Sequence, residues 1–336
     1  MAYDPSGDPN ITGIHLYSML SKTASEWDLN DIYQLEKLTQ LITHICGGIS
    51  MFGVGCVISV KDFQRKETRL AKGLCIGLFL QTLIQPLAGF LLAILLNMTV
   101  HEALAMVLVA SAPSASYASV LSFWGEGNVA LSVCIATIST ALCIGLMPMW
   151  FFFYSSTWSR EFFIVAYPLD IAQYLVLIIV PVGVGMATRW CMPKVAKYIA
   201  RACSATFLIS IVICSVLFLI FHIDHFKAGW HIYLSAFLLP FIGFFSGFLI
   251  SFILRLPYDV CIAISVAVGS VNGSLVITVA LHSFAEVPEV LASVLKLPTI
   301  YALFAPVEGI IWSMVYKTVD ELFSKGHPAL CGTGSV

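Results

Sequence analysis

Charge is scarce in this chain. Asp, Glu, Lys and Arg make up 11% of its 336 residues, against 59% hydrophobic ones. A soluble domain usually carries about 25% charged residues. Too little charge is present to coat a water-facing surface, so the composition points to a polytopic membrane protein, all-α in class. The net charge of −2 carries no information about partners, and no nucleic-acid ligand is expected.

Other things are missing as well. Met1–Asn10 is polar and turn-forming and contains no apolar signal core, so targeting falls to the first membrane span. The ten cysteines are scattered through apolar runs without a CxxC pair. That argues against a metal site or a disulfide framework and for buried thiols acting as small hydrophobes. There is no HExxH motif, no paired intramembrane Asp and no His at a depth to match the hydroxyls, so neither an enzyme nor a cofactor is expected. No span carries the charged stripe that a pore lining needs.

What is present is a series of apolar runs of membrane length, about 20 residues each. They fall at Leu38–Val60, Gly73–Val100, Leu104–Gly125, Gly127–Ser159, Ile171–Thr188, Ala202–His222, Gly229–Leu254, Val260–Ala285 and about Val290–Tyr316. About nine spans put the termini on opposite sides. Basic residues decide which side is which. Lys61, Arg65, Lys66, Arg69, Lys72, Arg189, Lys194, Lys197, Arg201, Arg255, Lys317 and Lys325 lie in the odd-numbered loops and the tail. The alternate loops hold only Arg160 and Lys227. The N-terminus is therefore expected outside and the C-terminus in the cytoplasm. Asn10-Ile11-Thr12 then falls outside, as a glycosylation acceptor should, whereas Asn272-Gly273-Ser274 is mid-span and is rejected as one. The expected organisation is an outer arm at 1–36, one transmembrane domain at 37–320 and a cytoplasmic tail at 321–336.

Two of the apolar runs are interrupted by small polar residues. The first interruption is Ser111-Ala112-Pro113-Ser114-Ala115-Ser116-Tyr117-Ala118-Ser119, and the second is Gly269-Ser270-Val271-Asn272-Gly273-Ser274. In lipid, unwound backbone survives only where it is buried in protein or lines a wet cavity. Paired interruptions in corresponding halves of a chain mark the binding site of a secondary transporter. The third and eighth spans are an odd number apart, so the halves have opposite orientation, as inverted repeats do. Each break exposes N–H groups at one half-helix start, which favour anions, and C=O groups at the other end, which favour cations. Hydroxyls of Ser114, Ser116, Ser119, Ser270 and Ser274 and the amide of Asn272 add neutral ligands of a kind that suits sodium, a hard cation. The plainer reading of the same residues is close helix crossing with back-bonded hydroxyls.

Further polar groups lie inside the spans. Gln81 and Gln85, next to Pro86, either cap backbone freed by the proline or ligate an ion. Glu308 is an intramembrane carboxylate and a functional candidate, although it lies far along the ninth span. Lys296 snorkels to an interface, and His44 reads as a packed residue. Gly243-x-x-x-Gly247 and the pair Gly183 and Gly185 read as close helix contacts.

Several stretches resemble the sodium/bile acid cotransporter family, solute carrier family 10. They are Ala118-Ser119-Val120-Leu121-Ser122-Phe123-Trp124, Leu131-Ser132-Val133, Thr137-Ile138-Ser139-Thr140-Ala141-Leu142 and Gly145-Leu146-Met147-Pro148. Gly55-Cys56 and Leu297-Pro298-x-Ile300-Tyr301-x-x-Phe304 with Glu308 look similar too. The resemblance runs over about Leu38–Lys325. It implies a core domain with two crossing discontinuous helices, a smaller panel domain, and alternating access by one rocking against the other. It also implies a bile acid or steroid-sulfate-like organic anion as substrate, sodium as coupling ion, and the plasma membrane as residence. The sodium candidates are Gln81, Ser119, Ser132, Ser270 and Asn272. The substrate candidates are Ser114, Ser116, Asn272 and Ser274.

The chain departs from the family where charge matters. The family's eighth span typically reads Glu-x-Gly-x-Gln-Asn, and here it reads Ala267-Val268-Gly269-Ser270-Val271-Asn272. Ala118-Ser119 replaces a Ser-Asn pair, and Ala136 replaces a Thr. A charge-assisted contact is worth about 1.5–3 kcal/mol. Sodium is therefore expected to bind well below the family norm or not at all. A non-transporting receptor or scaffold on the same fold is the alternative expectation.

Overall fold

The computed structural model describes residues 29–59, 67–158, 164, 168–203, 205, 206, 209, 228–284 and 287–326. Asn10 and most of the expected sixth span lie outside these. The described chain is helical. Its elements are α1 (Leu29–Gly55), α2 (Glu67–Phe79), a π-helical turn (Leu80–Ile84), α3 (Gln85–Leu95), α4 (Val100–Ala110), α5 (Ala118–Trp124) and α6 (Val129–Ser155). After these come α7 (Pro168–Cys191), α8 (Trp230–Ile253), α9 (Tyr258–Gly269), α10 (Gly273–Ser283), α11 (Pro288–Val294) and α12 (Lys296–Gly326).

Among the described residues, five stretches are long and apolar enough to cross a membrane: Leu70–Leu95, Val129–Ser155, Ile171–Cys191, Trp230–Ile253 and Glu289–Val319. The two interrupted runs appear instead as short apolar helices, α4 with α5 and α9 with α10. Large apolar side chains face outward, among them Phe152, Val176, Ile179 and Phe252. Phe237, Phe241 and Phe245 stack along one face of α8, with ring centroids 5.9 and 6.3 Å apart. An apolar exterior of this width belongs in lipid, which makes the protein an all-α polytopic membrane protein.

Several boundaries move from their expected places. Helix α1 starts at Leu29, inside the polar arm, because Gln34, Leu35, Glu36 and Lys37 are strong helix formers. The ninth run divides into α11 and α12 at Leu295. Helix α12 then continues past Lys317 to Gly326, since no Gly or Pro interrupts it between 310 and 325. The second span is locally unwound rather than uniform. Pro86 has no N–H to offer the carbonyl four residues back, and just before it the Gln85 N–H bonds Leu80 O, five residues back.

Glycines set the closest contacts. A Cβ on Gly243 would lie 2.7 Å from Gly269 Cα, and one on Gly247 2.7 Å from Ser265 Cα. The Gly-x-x-x-Gly face thus lets α8 lie directly on α9. Gly185 packs in the same way against Phe52 and Gly55, joining α7 to α1, whereas Gly183 meets open space. His44 packs edge-on against Tyr174 across that same pair of helices. The broken helices are the innermost elements: α4 is buried from Ala103 to Ala110 and α9 from Val260 to Gly269.

Candidate functional site

The two breaks meet. Ser114 and Val271 form an isolated antiparallel bridge. Ala115 N donates to Ser270 O at 2.7 Å, and Asn272 N donates to Pro113 O at 2.9 Å. Each unwound segment therefore satisfies backbone groups of the other, which a single break in hydrocarbon could not do for itself. Side chains complete the accounting. Gln81 Nε2 donates to Ala112 O at 3.0 Å, and Ser114 N donates to Ser139 Oγ at 3.2 Å. The Tyr301 hydroxyl donates to Gly269 O at 3.1 Å and accepts from Val271 N at 3.1 Å.

The first break is shorter than the interrupted sequence suggests, because α5 restarts at Ala118 and Ser119 lies in its first turn. The second break is Ser270–Asn272 alone. Asn272 Oδ1 caps α10 by accepting from Leu275 N at 3.2 Å, as Asn128 Oδ1 caps α6 through Leu131 N at 3.0 Å. The capping oxygen of Asn272 is thereby committed to the fold. Gln85 Nε2 donates to Leu239 O at 3.2 Å and so ties the second span to α8.

Other buried oxygens remain without a hydrogen-bond partner among the described residues. They are Gln81 Oε1, Gln85 Oε1, the hydroxyls of Ser114, Ser119, Ser122, Ser132 and Ser270, and both carboxyl oxygens of Glu308. Tyr117 lies beside Ser270. Gln81, Ser111, Pro113, Ser139 and Trp150 line a small cleft against the first break. Ser116 and Ser274 are half-buried at the edges of the two breaks. Ser122 enters the sequence analysis only within the family-like stretch, and no signal in the sequence separates it from serines whose hydroxyls bond back to their own helix.

The position that lacks the expected carboxylate is enclosed by apolar side chains. Ala267 is fully buried in an apolar cluster with Leu80, Leu131, Ile135, Val260, Ala263, Ile264 and Val268. Val271 is buried in the main apolar core beside Leu275 and Tyr301. The neutral oxygens fit a cation's coordination shell in kind, but at position 267 no charge accompanies them.

Glu308 is nearer to the crossing than its place along the ninth span implies. It follows Tyr301 by two helical turns on the same face of α12. The neighbouring Gly309 packs against Leu121 of α5 and Phe244 of α8. Tyr117 and Tyr301 both lie within electrostatic reach of the Glu308 carboxyl group.

Two helices broken within the membrane, tied back to back and leaving neutral oxygens unclaimed, follow the plan of a membrane carrier. A family model described as the Sodium Bile acid symporter family matches residues 45–229, more than half of the chain, and the chain belongs to that family. It is 29% identical over 299 residues to the ileal sodium/bile acid cotransporter of Homo sapiens, covering 88% of this chain and 84% of that protein. It is 26% identical over 300 residues to the sodium-dependent organic anion transporter of Homo sapiens, covering 87% and 77%. With the ileal sodium/bile acid cotransporter of Oryctolagus cuniculus it shares 28% identity over 305 residues, covering 91% and 86%. These relatives are transporters, not enzymes.

Proposed function

We propose that this chain is a secondary active transporter of amphipathic organic anions, of the bile acid or steroid-conjugate type, working across the plasma membrane. The observation that carries this reading is the crossing itself, where backbone from both halves is mutually bonded while hydroxyls stay unclaimed. Ser114, Ser116, Asn272 and Ser274 lie where an anion would meet half-helix ends. Gln81, Ser119, Ser132, Ser270 and Asn272 are the candidate sodium contacts, with Asn272 contributing chiefly by capping α10. The N-terminus faces outside with Asn10 as glycosylation acceptor, and 37–320 forms the transmembrane domain between an outer arm and a cytoplasmic tail. These placements rest on the balance of basic residues.

Sodium coupling is weak or absent in this reading, because Ala267 is enclosed by apolar side chains. The same observation supports a second reading, a non-transporting receptor on the same fold. Uptake of labelled taurocholate and of a steroid sulfate, measured in cells with sodium and with choline, separates them. Uptake of either anion is expected, with at most a small sodium effect. No uptake of either in both buffers sinks the transport reading. The Ala267→Glu/Val271→Gln double variant is expected to gain sodium stimulation. Its purified form should also be stabilised by sodium, by about 2.7 kcal/mol at a hundredfold excess over Kd.

A further inference from the structure

Among the described residues, Glu308 is the only Asp, Glu, Lys or Arg with a buried side chain, 6% of its surface remaining exposed. Neither carboxyl oxygen has a hydrogen-bond partner among them. Structural carboxylates in this protein behave differently. Glu102 bonds the Thr99 backbone at 3.0 Å and His231 at 2.9 Å, and Glu126 meets Lys317 at 3.3 Å. A charged carboxylate buried without partners costs far more than folding can spare, so the group binds a cation or accepts a proton. A sodium ion needs a shell of several oxygens. The phenols of Tyr117 and Tyr301 lie within electrostatic reach of Glu308. Gly309 is flanked by the side chains of Leu121 and Phe244, and the Tyr301 hydroxyl is committed at both donor and acceptor. A proton needs only one carboxylate oxygen.

We propose that Glu308 is a proton-binding site that couples anion movement to a proton, position 267 offering no carboxylate for sodium. The carboxylate takes a proton from water on one side of the membrane, crosses the cycle neutral, and releases it to water on the other. An organic anion would then travel with a proton instead of a sodium ion. This rests on the transporter reading. The titratable groups that face Glu308 are Tyr117, just before α5, and Tyr301 on α12 itself. On the helices packed against α12, the others sit toward helix ends. Glu102 of α4 and His231 of α8 pair with each other, Tyr258 of α9 donates to Tyr316 O, and Asp259 of α9 lies 3.4 Å from Asn128 Nδ2. His101, Tyr233, Cys261, His282 and Glu289 likewise lie within four residues of an end of their helices.

The test compares wild type with Glu308→Gln and Glu308→Asp. Uptake of labelled taurocholate and a steroid sulfate is followed against outside pH in sodium and in choline. Infrared spectra of the purified proteins are recorded against pH for the protonated carboxyl stretch. Wild-type uptake is expected to rise by up to about tenfold per unit of acidification where protonation limits the rate. Glu308→Gln should flatten that profile to within about twofold and lose one protonated-carboxyl band, while Glu308→Asp, which checks that the fold survives, keeps both. A wild-type band that Glu308→Gln removes, without uptake under any condition, leaves the proton site standing and overturns transport. Uptake with the same pH profile in Glu308→Gln overturns the proposal, as does the absence of the band from wild type at every pH. Uptake that needs sodium and is lost in Glu308→Gln also overturns it, in favour of a sodium site.

Discussion

The two breaks are paired across the structure but built differently. The first, Ser111–Tyr117, is long, and two of its backbone groups, Ala112 O and Ser114 N, are served from outside by Gln81 and Ser139. It borders a small cleft and leaves Ser114 Oγ unclaimed. The second, Ser270–Asn272, is three residues long and tightly held. Tyr301 bridges its two ends, Asn272 caps the next helix, and Val271 is buried in the apolar core. The difference teaches that the second break is braced through its backbone and its cap, while the first borders open space. Just before the second break, Ala267 of α9 is enclosed by apolar side chains.

The largest expected effect breaks the second interruption sterically. In Gly243→Val the new side chain meets Gly269 Cα and the Val268 carbonyl, backbone that cannot yield. Overpacking of this kind costs about 3 kcal/mol or more. Size-exclusion profiles in detergent should show loss of the monodisperse peak, and a normal peak would mean that α8 and α9 are not in close contact. A smaller effect follows from Tyr301→Phe, which strands Gly269 O and Val271 N at about 1–3 kcal/mol each. Thermal unfolding should fall by several degrees. An unchanged midpoint would show that the second break does not depend on this hydroxyl. The smallest effect is expected at the first break. Ser114→Ala removes a hydroxyl with no partner among the described residues, so stability should stay within about 0.5 kcal/mol. Anion uptake should nevertheless drop. If instead stability falls and uptake persists, the contrast between the breaks is reversed.

Much of this arrangement could be read from the residues. Ser-rich and Gly-Asn clusters inside apolar runs located both breaks, because hydrocarbon leaves unwound backbone few other places to be. The Gly243 and Gly247 pattern anticipated a close helix contact. Which helix lies on the other side is a matter of tertiary packing, which local pattern does not specify. Tyr301 was visible only as part of a motif, although a phenol in the middle of a span must find hydrogen-bond partners. Glu308 was placed too far away, since sequence distance along α12 says nothing about how α5 and α8 close over it. The start of α1 was missed because polar helix formers continue a helix without an apolar signal.

The bridge between Ser114 and Val271 has a mechanical consequence. It fastens the two half-chains to each other by peptide groups rather than by side chains, at the depth where water is scarcest. Neither broken helix can hinge at its own gap without tearing bonds from the other. The four helical stubs therefore behave as one riveted block, and any large displacement has to be taken up at looser seams of the molecule. Helices α1 and α7 pack closely on each other but only sparsely on the broken helices, and that edge is where the slip is available.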